Sequence, residues 1–268
     1  MSDPFADVDA ASPEFIEIMA TALEVRAADP SMLPVIDGYL DRLAPPDGGL
    51  IVDIGCGTGG VTRRIADRFG RANVLGVEPS AALTGKAWSL AGDYSNLKFQ
   101  NGDGAALDLA DGSADIAILH TVLSHVADPS PLVTEATRIL RPGGTLVVCD
   151  ADFSKAALGL APGDPLDSCA RAFVAGSVTD AWLAGKLKPL AQAAGLTVAH
   201  FDTAIRVVTD GIGNLVWVRM AAARFVTEGV IGQPLADALE AEYHRRAEAG
   251  TLYGFLPFVT MIAMKAER

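Results

Sequence analysis

Several short stretches of the sequence place acids, glycines and a histidine where a ligand could meet them. In Val52–Asp53–Ile54–Gly55–Cys56–Gly57–Thr58–Gly59–Gly60, glycines follow an apolar run and open an amphipathic one. Gly55 would allow a tight turn, and Gly57 would leave the backbone open to a ligand. Gly59 would permit close packing of helix on strand. Glu78 closes a second apolar run, Asn73 to Val77, and precedes Pro79 and Ser80. An acid there can accept two hydroxyls of a ribose. Asp103 and Gly104 follow a third short run, Leu97–Lys98–Phe99. His120 ends a fourth, Asp115 to Leu119, and is the candidate general base because imidazole titrates near neutrality. Asp150 and Asp152, after a fifth run, are weaker candidates.

Gly55, Gly57 and Gly60 also fit the dinucleotide spacing GxGxxG, so the glycines alone do not name the ligand. Asp53 discriminates. A pyrophosphate on this turn would be repelled by its carboxylate, whereas a ligand with a sulfonium and an α-ammonium would be attracted. S-adenosylmethionine has both cations and no phosphate.

With Asp53 before the glycines, the stretch from about Ala22 to Asp150 resembles the class I S-adenosylmethionine-dependent methyltransferases. It is most similar to the ubiquinone/menaquinone-biosynthesis type, known as type 11. The resemblance implies that Glu78 holds the ribose and that the residues after it, Ser80 among them, flank the adenine. It implies that Asp103 lies near the adenine amino group and that a backbone N–H at Gly104 reaches the ring. The turn Leu140–Arg141–Pro142–Gly143–Gly144 resembles a structural turn of the family that binds nothing. Glu24 to Pro30 resembles a stretch preceding the first motif, from which Arg26 is expected to pair with the cofactor carboxylate. The competing reading of Arg26 is a solvated helix charge. His125, in Ser124 to Pro129, falls in a common family segment and is expected to be architectural. The implied activity is methyl transfer from S-adenosylmethionine to a small-molecule acceptor on O, N, S or C, with S-adenosylhomocysteine as product. One alternative is a protein that binds this cofactor without methyl transfer. Another is an NAD(P)-dependent oxidoreductase, which Asp53 and the lack of a Tyr–Lys pair after the fourth strand disfavour.

These residues need strand ends to hold them. Short apolar runs at residues 50–54, 73–77, 97–99, 115–119 and 145–149 alternate with helical patterns at 60–69, 80–91 and 130–140. That alternation predicts a doubly wound, Rossmann-like α/β fold. The expected sheet is mostly parallel and seven-stranded, with helices on both faces, an antiparallel last strand and a helical lid inserted near the C-terminus. Residues 1–46 are expected to be N-terminal helices covering the cofactor site. Residues 47–268 would form the methyltransferase domain, with 151–176 and 203–256 as substrate-lid insertions. The helices of 203–256 could equally make a homodimer interface. Trp182, Trp217, Phe225, Tyr243, Tyr253 and Phe255 are aromatics within reach of an acceptor pocket, although such residues more often belong to the core.

Composition narrows the classes. The 268 residues carry 33 acids against 21 Lys and Arg, a net charge of −12, which argues against nucleic acid as substrate. Residues His120–Thr121–Val122–Leu123 also lack the Asn/Asp–Pro–Pro–aromatic pattern of enzymes that methylate nucleic-acid amino groups. No apolar run has the length of a membrane span. Met1 to Ala10 has no basic region of a signal peptide, so a cytoplasmic location is expected. The cysteines, Cys56, Cys149 and Cys169, suit neither a zinc site nor a disulfide framework, and no metal is expected.

Overall fold

The computed structural model describes residues 3–5, 8–209 and 211–267. The expected N-terminal unit and signal-peptide reading begin at Met1; Met1, Ser2, Ala6 and Asp7 lie outside the described residues, as do Asp210 of the expected C-terminal insertion and Arg268.

The apolar runs become strands β1 (Leu50–Ile54), β2 (Asn73–Glu78), β3 (Leu97–Asn101), β4 (Ala114–His120) and β5 (Leu140–Ala151). They lie side by side in the order β3-β2-β1-β4-β5, all parallel. A parallel strand is covered on both faces, which is why these runs are almost continuously apolar. Successive residues alternate between two cores. Ile51, Ile116, Ile118 and Val147 point to one, and Val52, Ala117, Leu119 and Val148 to the other. The first face is covered by α2 (Leu33–Leu40), α3 (Gly60–Arg68), α4 (Ala81–Leu90), α6 (Pro165–Ser177), α8 (Leu215–Thr227) and α9 (Gln233–Glu248). The second is covered by α5 (Ser130–Ile139) and α7 (Leu187–Ala193). The N-terminal helix α1 (Pro13–Ala28) starts from a Ser12 cap and packs, with Val8, on Leu83 of α4.

The strand β8 (Gly254–Lys265) runs antiparallel beside β5, as expected of the last strand, and β7 (Leu196–Val208) lies on its other side. The sheet differs from expectation in holding eight strands among the described residues. The eighth, β6 (Ala157–Leu158), does not add a lane. Register puts β5 against Phe258 to Met264 and β6 against Phe255 and Gly254, while β7 spans both stretches. The β5 lane is interrupted by a 3-10 turn, Phe153–Lys155, and resumes at Ala157. Strand β7 is continuous through a bulge between Val198 and His200. In Leu140–Gly144, Gly143 has φ +71°, the conformation a Pro–Gly turn requires at its second central position.

This order places the reversal of winding between β1 and β4, and the carboxyl ends of both strands open into one crevice.

Candidate functional site

The crevice holds a cavity of about 420 Å³, in the size class of small-ligand sites. Asp53 and Gly55, Glu78, Asp103 and Gly104, and His120 reach it from the ends of β1, β2, β3 and β4 respectively, and Arg26 reaches it from α1. Residues far apart in the chain therefore converge because each follows a strand pointing the same way.

The glycine loop is shaped by conformation and contact. Gly55, Gly57 and Gly59 have φ of +74°, +56° and +78°. A β-carbon on Gly55 would stand 2.6 Å from Val122, and one on Gly104 would stand 2.6 Å from Ile54. Gly59, the N-cap of α3, does not line the cavity; a side chain there would collide with Phe99 of β3. Its role is the helix–strand packing expected from its position, and Gly60 lines the cavity in its place.

Glu78 is buried and grips the loop. Its Oε2 accepts the Gly57 N–H at 2.9 Å and its Oε1 accepts the Ser80 N–H at 3.0 Å. Each oxygen keeps lone-pair capacity for a further donor. Burial raises the Glu78 pKa, and the two backbone hydrogen bonds act against that rise. The arrangement opposes a pyrophosphate, because the Gly57 N–H that would serve it already binds a carboxylate. Asp53, 1% exposed, accepts a 2.6 Å hydrogen bond from Thr62 of α3. Burial drives its pKa up to about 6, with the Thr62 bond opposing and the Glu78 charge adding to the rise. Both acids would gain from a cation or a hydroxyl donor that replaces lost water. Arg63, the cation beside this loop, is committed to Glu24 at 2.5 Å and to the Thr58 carbonyl.

Arg26 is different. Its Nη2 donates to the Thr121 hydroxyl at 2.8 Å, and no carboxylate among the described residues lies within ion-pairing distance of it. Burial, reinforced by the charge of Arg206, lowers its pKa to about 10. A half-buried guanidinium on a ligand cavity without an anion is prepared for one. Thr121, which orients it, has φ +56°, the left-handed region that β-branched residues avoid.

His120 lines the cavity but is a poor base. Burial, with the Arg26 charge behind it, lowers its pKa to about 3, far from the neutral range a proton acceptor needs. Its Nδ1 lies 3.3 Å from the hydroxyl of Tyr39, a fully buried residue of α2. With Tyr39 as donor, the imidazole is held neutral with its proton on Nε2. The sequence offered no sign of Tyr39, because its distance from His120 along the chain is bridged only by the fold. Asp150 accepts from the Ser124 N–H and hydroxyl, and Asp152 accepts from the Ser154 hydroxyl, so each stabilises a turn.

Ser80 departs from the expectation of a ligand contact. It is the N-cap of α4, accepting the Leu83 N–H and donating to Asp9 at 2.5 Å, and it does not line the cavity. The hydroxyl's proton is thus committed to Asp9 and one of its lone pairs to the cap. Asp103 is exposed at the cavity rim, where its Oδ1 accepts the Ala105 N–H.

A second, smaller chamber of about 60 Å³ adjoins the first and shares Phe5, Leu23, Arg26 and His125 with it. Its walls include Phe153, Phe173, Trp217 and Phe258, with Phe173 and Trp217 stacked at 5.4 Å between centroids. Of the aromatics named from sequence, Trp217 lines it. Trp182 is 66% exposed, and Tyr243 is buried, its hydroxyl accepting the Asn214 N–H. Neither Tyr243 nor Phe225, Tyr253 or Phe255 lines either chamber. His125 separates the chambers and is pinned by Asp3, whose Oδ2 lies 2.8 Å from Nδ1 and also accepts the Thr179 N–H and hydroxyl. Phe5 and Val8 of the N-terminal segment line the cavity, and Asp9 caps α4.

Comparison with known proteins agrees with this geometry. Residues 52–148 match the family model described as "Methyltransferase domain", type 11. Trans-aconitate 2-methyltransferase of Deinococcus radiodurans is 41% identical over 98 residues, which cover 37% of this chain and 36% of that protein. The matched stretch spans about a third to a half of the length of the first curated relatives. In fold, the chain is similar to phosphoethanolamine N-methyltransferase 2 of Haemonchus contortus in complex with S-adenosyl-L-methionine. The TM-score is 0.61 at 18% identity, over 98% of this chain and 60% of the other. It is equally similar to the [4+2]-cyclase SpnF, with a TM-score of 0.60 at 18% identity, over 99% and 97%. Residues 52–148 of this chain therefore match a methyltransferase-domain family model, and the chain shares the fold of these solved structures.

Proposed function

We propose that the protein transfers the methyl group of S-adenosylmethionine to a small-molecule acceptor, releasing S-adenosylhomocysteine. The observation that carries this is the sharing of one cavity by Glu78, Asp53 and Arg26, an unpaired cation facing two buried acids. Glu78 would accept the ribose hydroxyls with the lone pairs left by Gly57 and Ser80. Asp53 would face the positive charge of the methionyl portion, directly or through water. Arg26 would take its carboxylate. Gly104 and Asp103 would bound the adenine. When bound, S-adenosylmethionine supplies a methyl group activated by the neighbouring sulfonium.

The chain's own part in the chemistry is chiefly positioning, which suits an in-line displacement. The site offers no base poised near neutral pH at the β4 end, since His120 is held neutral; its Nε2–H is suited to orienting an acceptor. This favours acceptors that react without a strong base. Residues 1–46 and the helices of 203–256 would cover the two chambers as a lid.

The fold likeness to a [4+2]-cyclase favours a second reading, in which the same cofactor site supports another reaction. One experiment separates the two. The purified protein is incubated with S-adenosylmethionine labelled in the methyl group and a panel of phenols, amines, thiols and carboxylic acids. Label recovered in an acceptor supports methyl transfer. Tight binding of the cofactor with no label in any acceptor favours the second reading, and absence of binding contradicts both.

A further inference from the structure

Two histidines line the cofactor cavity, and the fold fixes their rings in opposite ways. The Tyr39 hydroxyl lies 3.3 Å from Nδ1 of His120 and, as donor, leaves that ring its proton on Nε2. Nδ1 of His125 instead meets a carboxylate, Oδ2 of Asp3, at 2.8 Å. A carboxylate only accepts, so Nδ1 of His125 carries the proton, and Nε2 of the neutral ring keeps its lone pair. His120 is therefore a donor and His125 an acceptor. Nε2 of His125 has no hydrogen-bond partner among the described residues.

His125 also stands where two ligands would meet. It closes the 3-10 turn Leu123–His125, just beyond β4, and lines both the cofactor cavity and the aromatic chamber. Its N–H donates to the Val122 carbonyl at 3.0 Å, and its carbonyl accepts from the Thr179 hydroxyl at 3.2 Å. Its ring packs against Phe5 and Phe153, with centroids 4.8 and 6.1 Å away. Asp3 is held as firmly. Its side chain is 4% exposed, its Oδ1 accepts the Phe5 N–H at 2.9 Å, and its Oδ2 also accepts the Thr179 N–H at 3.0 Å. A carboxylate so fixed orients an imidazole and stabilises the imidazolium formed when Nε2 takes a proton. Asp150, at the end of β5, adds to this from beyond contact. Arg26 and Arg206 oppose it across the aromatic chamber, Arg206 being paired with Asp29.

Resting on the methyl-transfer reading, we propose that His125 accepts the proton that the methyl acceptor sheds, and that Asp3 is the residue that positions it. As the acceptor's oxygen, nitrogen or sulfur bonds to the methyl carbon, the carbon–sulfur bond breaks and its electron pair stays on sulfur. The acceptor's proton passes to Nε2 and leaves from there to solvent. His120, at the β4 end, orients; His125, one turn further on, is the mild base. Because its carboxylate comes from the N-terminal segment, the site is complete only with that segment docked.

The first measurement needs no turnover. The four histidines of the full chain are isotope-labelled in nitrogen, assigned with His120→Gln and His125→Gln, and their tautomers are read by long-range proton–nitrogen correlation. Neutral His125 should carry its proton on Nδ1 and neutral His120 on Nε2. Asp3→Asn should remove the bias of His125 alone. Phenol added to the chain with S-adenosylhomocysteine should shift Nε2 of His125. The second measurement uses methyl-labelled S-adenosylmethionine with phenols and thiols, which must shed a proton, and with carboxylic acids, which are already ionised at neutral pH. His125→Gln should lower kcat for phenols and thiols by about 10²- to 10⁴-fold with little change in KM, and leave carboxylates nearly untouched. Free imidazole should restore part of the phenol rate in His125→Ala. Asp3→Asn should show the same selectivity at smaller size. A proton on Nε2 of neutral His125, or an Nε2 signal indifferent to phenol, would overturn the proposal. So would equal losses for phenols and carboxylates, which mark a ring that only shapes the site. If no acceptor takes label, the methyl-transfer reading fails, while the tautomer and the phenol response still decide whether His125 presents a proton acceptor to the cavity.

Discussion

Two arginines face the same chamber and are treated in opposite ways. Arg206, on β7, is 3% exposed and fully engaged: it pairs with Asp29 and donates to Ser31 and to Asn214. Arg26, on α1, has one hydroxyl and no ion pair among the described residues, with the Asp150 charge acting on it from beyond contact. The contrast extends to their surroundings. Elsewhere in the C-terminal half, buried charge is also paired, as in Arg246 with Asp164 and Glu242. At the strand ends of the N-terminal half, Asp53 and Glu78 are buried beside each other with no basic partner. Matched charge holds a wall in place, while unmatched charge leaves interactions for a ligand to complete, at a cost in the stability of the free protein.

The largest expected effect tests the matched side. Arg206→Met leaves the Asp29 carboxylate without its ion partner, and loss of one member of a buried pair costs about 3–5 kcal/mol. Urea unfolding should show that loss, and a change below about 1 kcal/mol would mean that Arg206 is not a structural pin.

The unmatched side should respond in the other direction. Asp53 has a folded pKa of about 6 against an ordinary value of 3.8, so the folded chain holds this proton more tightly than the unfolded chain. Stability therefore falls as pH rises through that window and stays lower above it, by about 3 kcal/mol. Asp53→Asn should raise stability by up to that amount at pH 8 and by roughly half as much at pH 5, while weakening adenosyl ligands. In the unaltered protein, affinity for S-adenosylmethionine should decline as pH drops below about 6, when Asp53 loses its charge. A less stable Asp53→Asn protein at pH 8 would remove this part of the account.

Arg26→Met sharpens the contrast at smaller scale. It should cost little stability but weaken S-adenosylhomocysteine binding roughly 10- to 100-fold, the worth of a charged hydrogen bond. 5′-Methylthioadenosine, which lacks the carboxylate, should bind both proteins alike. Equal losses for both ligands would mean that Arg26 shapes the cavity and does not read the carboxylate.

The smallest effect concerns His120. With its pKa near 3, His120 should contribute no limb to a pH–rate profile between pH 5 and 8. Any limb near pH 6 should survive in His120→Gln, since it belongs to Asp53. A limb that vanishes with the substitution would restore the histidine as a base.

The same division governs how much was legible in the sequence. Asp53, Gly55, Gly57, Glu78 and Gly104 sit at strand ends, where a fixed rise per residue turns spacing into position, and they meet at the cavity as their positions imply. Ser80 shows the limit of such reasoning. Its place in the chain suited a ligand contact, but the orphan N–H groups of α4 claimed its hydroxyl. The aromatic chamber was not legible, because Phe5, Phe153, Phe173, Trp217 and Phe258 come from five separate segments with no common period. Helix α6 falls almost wholly within the stretch 151–176, expected from sequence only as a lid insertion. Asp164 caps it, Pro165 opens it, and Leu166, Cys169, Ala170 and Phe173 recur on one face. That signal was present and could have found it.

The central claim is tested most directly by calorimetric titration of the full chain with S-adenosylhomocysteine and NADH, beside Glu78→Ala. The account predicts micromolar-range binding of S-adenosylhomocysteine, reduced at least roughly 100-fold by a substitution that removes both the ribose acceptor and the Gly57 anchor, and no binding of NADH. Binding of NADH by the unaltered protein, or S-adenosylhomocysteine binding indifferent to Glu78, would contradict it.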